Sequence, residues 1–189
     1  MRRIYSKFRT KDGRVITLRP LRKSDLDEMV PFANAFVKER KRNRSLGVTG
    51  FYRQMTVGDE KEFLDKVLEM EAKRRGVSVG AFYGRKIVGH CDISGRVSPD
   101  ELHSGLLGIV IADGYRGTGL GSEMVQTALD EARKLGIWMI ELEVFANNAQ
   151  ARHVYEKAGF KEVGVIPMKI RRDGRFVDII RMYTHLPHN

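Results

Sequence analysis

The segment Arg116-Gly117-Thr118-Gly119-Leu120-Gly121 constrains the fold more than any other. An apolar, β-prone run at 106–112 precedes it. A helical pattern follows, with Leu120, Met124, Ala128, Leu129, Ala132 and Leu135 on one face and Gly136 as its stop. A second β-prone run lies at 138–145. Strand, Gly-rich turn, helix and strand in so few residues make a crossover, and a crossover of this kind joins parallel neighbours. The chain is therefore read as α/β. Three alternating glycines let a ligand approach the backbone, and the unpaired N–H groups of the first helical turn, at the positive end of the dipole, can hold a phosphate. A tight turn without a ligand accounts for a lone glycine pattern too. One turn, however, seldom needs three glycines behind an arginine.

The remaining elements follow from periodicity. β-Prone runs at 4–10 and 15–19 flank Lys11-Asp12-Gly13-Arg14, a hairpin signal. Ser24 reads as an N-cap before Asp25-Leu26-Asp27, and Leu26, Met29, Val30, Ala33, Phe36 and Val37 recur at helical spacing, with Pro31 expected to kink or split the helix. Residues 38–58 read as a long loop or broken helix, and Phe63, Leu64, Val67 and Leu68 mark a helix over about 59–75. Strands at 77–83, 87–96 and 106–112 form an antiparallel meander. A short helix at 149–158 and strands at 161–168 and 176–184 complete the chain. The sum is a mixed sheet of about seven strands flanked by about four helices.

With 189 residues, 42% of them hydrophobic, the chain is long enough for one self-sufficient domain and too apolar for disorder. Lys and Arg number 34 against 24 Asp and Glu, a net charge of +10 that favours anionic partners: nucleic acid, acidic lipid or a phosphorylated small ligand. The single cysteine, Cys91, permits neither an internal disulfide nor a cysteine-based metal site, and no metal is expected. The basic N-terminus lacks the apolar run of a signal peptide, and no stretch approaches the roughly 20 apolar residues that span a bilayer. A cytoplasmic protein without a membrane partner is the expectation.

Known phosphate fingerprints narrow the reading. Ser122 follows Gly121 and breaks the third-glycine spacing of the dinucleotide motif, and the Walker pattern is absent. The remaining pattern, R-x-x-G-x-G, resembles the acyl-CoA pyrophosphate loop of the GCN-five-related N-acetyltransferases, the GNAT superfamily. About thirty residues later, Asn148-Ala149-Gln150-Ala151-Arg152-His153-Val154-Tyr155-Glu156-Lys157-Ala158-Gly159-Phe160 resembles the superfamily's N-x-x-A-x-x-x-Y-E-K-x-G-F segment. The tail Arg172-Asp173-Gly174-Arg175-Phe176-Val177-Asp178 is similar to the final hairpin of a branch that acetylates ribosomal proteins, amino acids and peptides. The resemblance implies a single GNAT domain, partly splayed at its central sheet. Residues 1–75 would form the acceptor side, 76–168 the acetyl-CoA-binding core and 169–189 the C-terminal strand. It implies acetyl-CoA as co-substrate and a primary-amine acceptor, a protein N-terminus, peptide or amino acid, met as monomer or homodimer. A non-catalytic acetyl-CoA-binding module, or an enzyme acting on a polyamine, antibiotic or lysine side chain, is the alternative.

Residue by residue, the resemblance gives Ile109, Val110 and Ile111 main-chain contacts to the acetyl carbonyl and pantetheine. Arg116, Gly117, Thr118, Gly119, Leu120 and Gly121 become the phosphate loop, with Arg116 as a cation toward the phosphates and Arg152 and Lys157 either the same or solvated surface cations. Tyr155, on a helical face with Ala151, Val154 and Ala158, reads from periodicity as a core tyrosine and from the resemblance as the general acid to the thiolate. Asn148 is either the N-cap of its helix or a hydrogen-bond partner of pantetheine. Strand alternation puts Glu141 and Glu143 opposite Ile140, Leu142 and Val144. Twelve residues before Tyr155, Glu143 resembles the base of ribosomal N-terminal acetyltransferases, and equally suits a salt-bridged strand carboxylate. The usual glutamate two positions before the family glycine is Leu106 here, which leaves Glu143, or His103 through water, as base. His90 is a lesser candidate for the base and reads first as a structural histidine. The run Lys38-Glu39-Arg40-Lys41-Arg42-Asn43-Arg44 is a solvated face or a contact to ribosomal RNA or an acidic acceptor.

Overall fold

The computed structural model describes residues 3–43 and 46–187. Eight strands form one open sheet, β1 (Ser6–Arg9), β2 (Val15–Arg19), β3 (Gly76–Tyr83), β4 (Lys86–Gly95), β5 (Ser104–Ile111), β6 (Met139–Phe145), β7 (Lys161–Arg172) and β8 (Arg175–His185), in the order β1-β2-β3-β4-β5-β6-β8-β7. Every neighbouring pair is antiparallel except β5 with β6, the parallel pair that the crossover demands. Helices α1 (Leu26–Arg42) and α2 (Val57–Ala72) bury Met29, Leu64 and Val67 against Phe82 and Ile87. Helices α3 (Leu120–Lys134) and α4 (Ala149–Lys157) belong to the larger core, where Leu120, Met124, Ala128 and Ala132 meet Val79, Cys91 and Ile140. Among the described residues no helix is long and apolar enough to cross a membrane.

The start and course of α1 differ from the sequence reading. Ser24 caps nothing. A short 3-10 turn, Lys23–Asp25, precedes the helix, and the Asp25 carboxylate accepts from the Arg22 N–H at 2.8 Å while pairing with Arg19 at 2.7 Å. Pro31 does not split the helix. Its ring faces solvent, one hydrogen bond near the N-terminus is forgone, and the buried stripe Met29, Ala33, Phe36 and Glu39 holds the rest. The helix thus continues through Arg42, so most of the basic run lies on its last turn; Arg44 lies outside the described residues. Thr56 caps α2 through the Asp59 N–H at 3.2 Å. The strand at 161–168 extends to Arg172, which gives the tight Asp173-Gly174 turn with φ of 48° and 76°, the type I′ geometry that hairpins favour.

Candidate active site

The parallel ladder between β5 and β6 has only three rungs, Ser104↔Met139, Gly105↔Ile140 and Leu106↔Glu141. Beyond Leu106 the strands part, β5 staying on β4 and β6 on β8. Hydrogen-bonding sides alternate along a strand. Arg96 N–H donates to Ser104 O and Ala112 N–H to Val88 O, so the even-numbered residues of β5 face β4 and the main-chain groups of Leu107, Ile109 and Ile111 face the gap. Val110, grouped with them on sequence, turns its main chain to His90 on β4. Across the gap, Ala146 N–H donates to Asp178 O, which leaves Glu143 and Phe145 as the residues of β6 whose main chain faces β5. The gap opens into a cavity of about 1690 Å³.

The glycine turn closes one end. Gly117 and Gly119 have φ of 73° and 91°, and a Cβ on Gly119 would stand 3.3 Å from the Phe8 ring. Only glycine suits such a position. Lys11 N–H donates to Thr118 O, tying the first hairpin to the turn. Gly121 and Ser122, in the first turn of α3, line the cavity. The guanidinium of Arg116, expected to neutralise phosphate, is instead engaged by protein. It forms a bidentate pair with the buried Glu39 of α1, 2.8 Å on one side, and its Nε donates to Ile111 O at 2.8 Å. In this structure its fork is taken up by Glu39 and Ile111 O at the edge of the cavity. Arg152 lies near Glu162 (3.7 Å) and Glu156 (4.0 Å).

α4 supplies the opposite wall. Asn148 is its N-cap, with Oδ1 accepting from Ala151 N–H at 3.1 Å. Its Nδ2 faces Gly47, where a Cβ would come within 2.5 Å. Of the two roles weighed for Asn148, the cap is the one its Oδ1 takes, and Nδ2 is left to the side of Gly47. Tyr155 is buried at 7% exposure, its ring edge-on to Phe160, yet it lines the cavity. Burial, with a smaller contribution from Cys91, pushes its phenol above the ordinary range. Among the described residues the hydroxyl has no hydrogen-bond partner.

Glu143 lines the cavity and pairs with Arg181 at 3.0 Å, as Glu141 pairs with Arg96 at 2.9 Å. His103 is not brought to the site. It precedes β5, at the end remote from the glycine turn, and stacks on Trp138 at 4.6 Å, outside the cavity lining. His90 is buried, hydrogen-bonded to Ser78 Oγ at 3.0 Å, and burial lowers its pKa. Cys91 is fully buried and its thiol is pushed up by burial. Sequence reasoning missed the loop at 46–49, which lines the cavity, and Arg172, which holds it. No sequence signal links residues more than 120 positions apart.

Residues 45–160, more than half of the chain, match the Acetyltransferase (GNAT) family. The chain belongs to the GNAT acetyltransferase family. A spermidine N(1)-acetyltransferase of Vibrio cholerae is 29% identical over 171 residues, 89% of this chain and 91% of the relative. A GNAT acetyltransferase from Streptococcus pneumoniae superposes with a TM-score of 0.78 at 25% identity, covering 91% of this chain and 99% of that one. The yncA structure from Salmonella typhimurium, with its cofactor acetyl-CoA, superposes at 0.73 and 16% identity, covering 92% and 95%. The expected fold class holds, with eight strands in place of about seven.

Proposed function

We propose that this N-acetyltransferase moves the acetyl group of acetyl-CoA to the α-amine of a protein N-terminus, peptide or amino acid by direct attack, in the cytoplasm. The observation that carries the reading is the gap between β5 and β6, where unpaired main chain lies between a glycine-rich helix start and a buried tyrosine. The turn at 117–121 and the first N–H groups of α3 would receive the pyrophosphate, and Ile109 and Ile111 the amide and thioester carbonyls. The amine lone pair forms the C–N bond as the C–S bond breaks. Glu143 takes the ammonium proton through water, and Tyr155 supplies a proton to the thiolate. Because its phenol stays protonated throughout the neutral range, Tyr155 is always poised as donor. An acyl-enzyme is disfavoured by the burial of Cys91 in the core.

A second reading, a polyamine acceptor, is favoured by the Vibrio cholerae relative. Both acceptors are cationic before deprotonation, and either would meet Glu141 and Glu143 beside the arginines that pair with them, Arg96 and Arg181. An α-amine, with a pKa near 8, needs only a modest base. Thiol release measured over alanyl peptides, free amino acids and spermidine decides. Activity on α-amines is expected, activity on spermidine alone would replace the acceptor, and acetyl-CoA binding without turnover would leave a binding module. In the active case Glu143→Gln should lower the rate at neutral pH and move the amine limb of the pH–rate profile upward.

A further inference from the structure

We infer that Arg172 is the positioning residue for the acceptor-side wall of the cavity and so sets which amines are used. The inference rests on the acetyltransferase reading. Residues 46–49 belong to no helix or strand, yet Leu46, Gly47, Val48 and Thr49 line the cavity. Their carbonyls have no ladder to satisfy them. Arg172, the last residue of β7, reaches across to do so: Nη1 donates to Leu46 O at 2.5 Å and Nη2 to Val48 O at 2.6 Å. The side chain is buried at 5% exposure, with the guanidinium 5.2 Å from the centroid of the Phe145 ring. From the other side the loop rests on α4, where Gly47 approaches the Asn148 amide. Phe51, a few residues on, stacks on Phe36 of α1 at 5.0 Å.

Burial and the nearby Arg40 both disfavour the charge of Arg172. A guanidinium is nonetheless kept there, and its planar fork spans two carbonyls two residues apart, which a lysine ammonium cannot do. The contacts described for Arg172 lie on the loop at 46–49 and on the Phe145 ring, away from the glycine turn. Its loss should therefore move the acceptor wall and leave the glycine turn, the main holder of the donor, in place. Misplacement of a wall by about an ångström is enough to change productive binding severalfold.

The test compares wild type with Arg172→Lys and Arg172→Met, each checked for folding by thermal melting. Spermidine and an alanyl peptide serve as acceptors. The expected result is a KM for the amine raised about tenfold, a KM for acetyl-CoA within about twofold, and a changed ratio of peptide to spermidine use, the lysine variant keeping the stability but not the KM. Amide hydrogen exchange at 46–49 should quicken at least about tenfold in the lysine variant. Unchanged amine KM, a parallel rise of both KM values, or unchanged exchange would each overturn the assignment. If wild type acetylates no amine, the functional reading fails and the exchange measurement alone decides the clamp.

Discussion

Tyr155 does two things at once, filling the core beside Phe160 and presenting to the cavity a hydroxyl bonded to none of the described residues. Tyr155→Phe keeps the ring and removes the hydroxyl with its proton. Turnover should fall on the order of 10²-fold with acetyl-CoA affinity unchanged, as measured by steady-state kinetics and calorimetry. Wild-type turnover would reduce the residue to packing. Glu60, one turn into α2, offers a test of stability. It is buried at 7% exposure, and burial, followed by the charge of Asp59, pushes its pKa from 4.5 up to about 7. A raised carboxyl pKa means that the folded state binds the proton more tightly. The resulting stability is full below pH 4.5 and lost as pH rises through 7. Glu60→Gln should therefore be more stable than wild type at pH 8, by on the order of 2 kcal/mol in urea unfolding, with the advantage vanishing at pH 4. Legibility at this scale follows sequence distance. The cap at Asn148 has its partner three residues away and could be read, whereas Arg116 with Glu39 and Arg172 with Leu46 join residues 77 and 126 positions apart and could not.

Among elements, the turn at 117–121 is the most legible because its need is local. A helix start with glycines at positive φ is written in adjacent residues, and the hairpin at Asp173-Gly174 likewise. α1 was less so. Pro31 is a breaker in isolation, but the stripe running from Met29 to Glu39 outweighs one missing hydrogen bond, a tertiary effect invisible to local propensity. Gly119→Val tests the turn. Its φ of 91° is strained for any β-branched residue, and the added atoms would meet Phe8 at the spot where α3 begins. The variant should lose the acetyl-CoA-induced rise in melting temperature while keeping its eight-stranded fold by circular dichroism. A preserved rise would put the phosphate site elsewhere.

On the scale of the molecule, the sheet is two units that share one core but only a short seam of paired strand. β1 to β5 carry α1, α2 and most contacts of α3, β6 to β8 form the other unit, and three rungs at 104–106 and 139–141 connect them. Sequence predicted a parallel pair, since a crossover helix dictates one. The extent of its pairing, three rungs, is recorded by no periodicity. A ligand lying in the gap would replace the missing rungs and bind both units at once. Binding to the native state alone stabilises by about 2.7 kcal/mol at a ligand concentration of 100 Kd, which for a domain of this size is roughly 5–10 °C in Tm. Saturating acetyl-CoA should produce a shift of that order. It should also slow amide exchange on both sides of the gap, at 107–111 on β5 and at 143–145 on β6, because bridging protects both faces while binding at the turn alone protects one. Protection confined to 117–123 would show that the gap between the strands is not the path of the pantetheine arm.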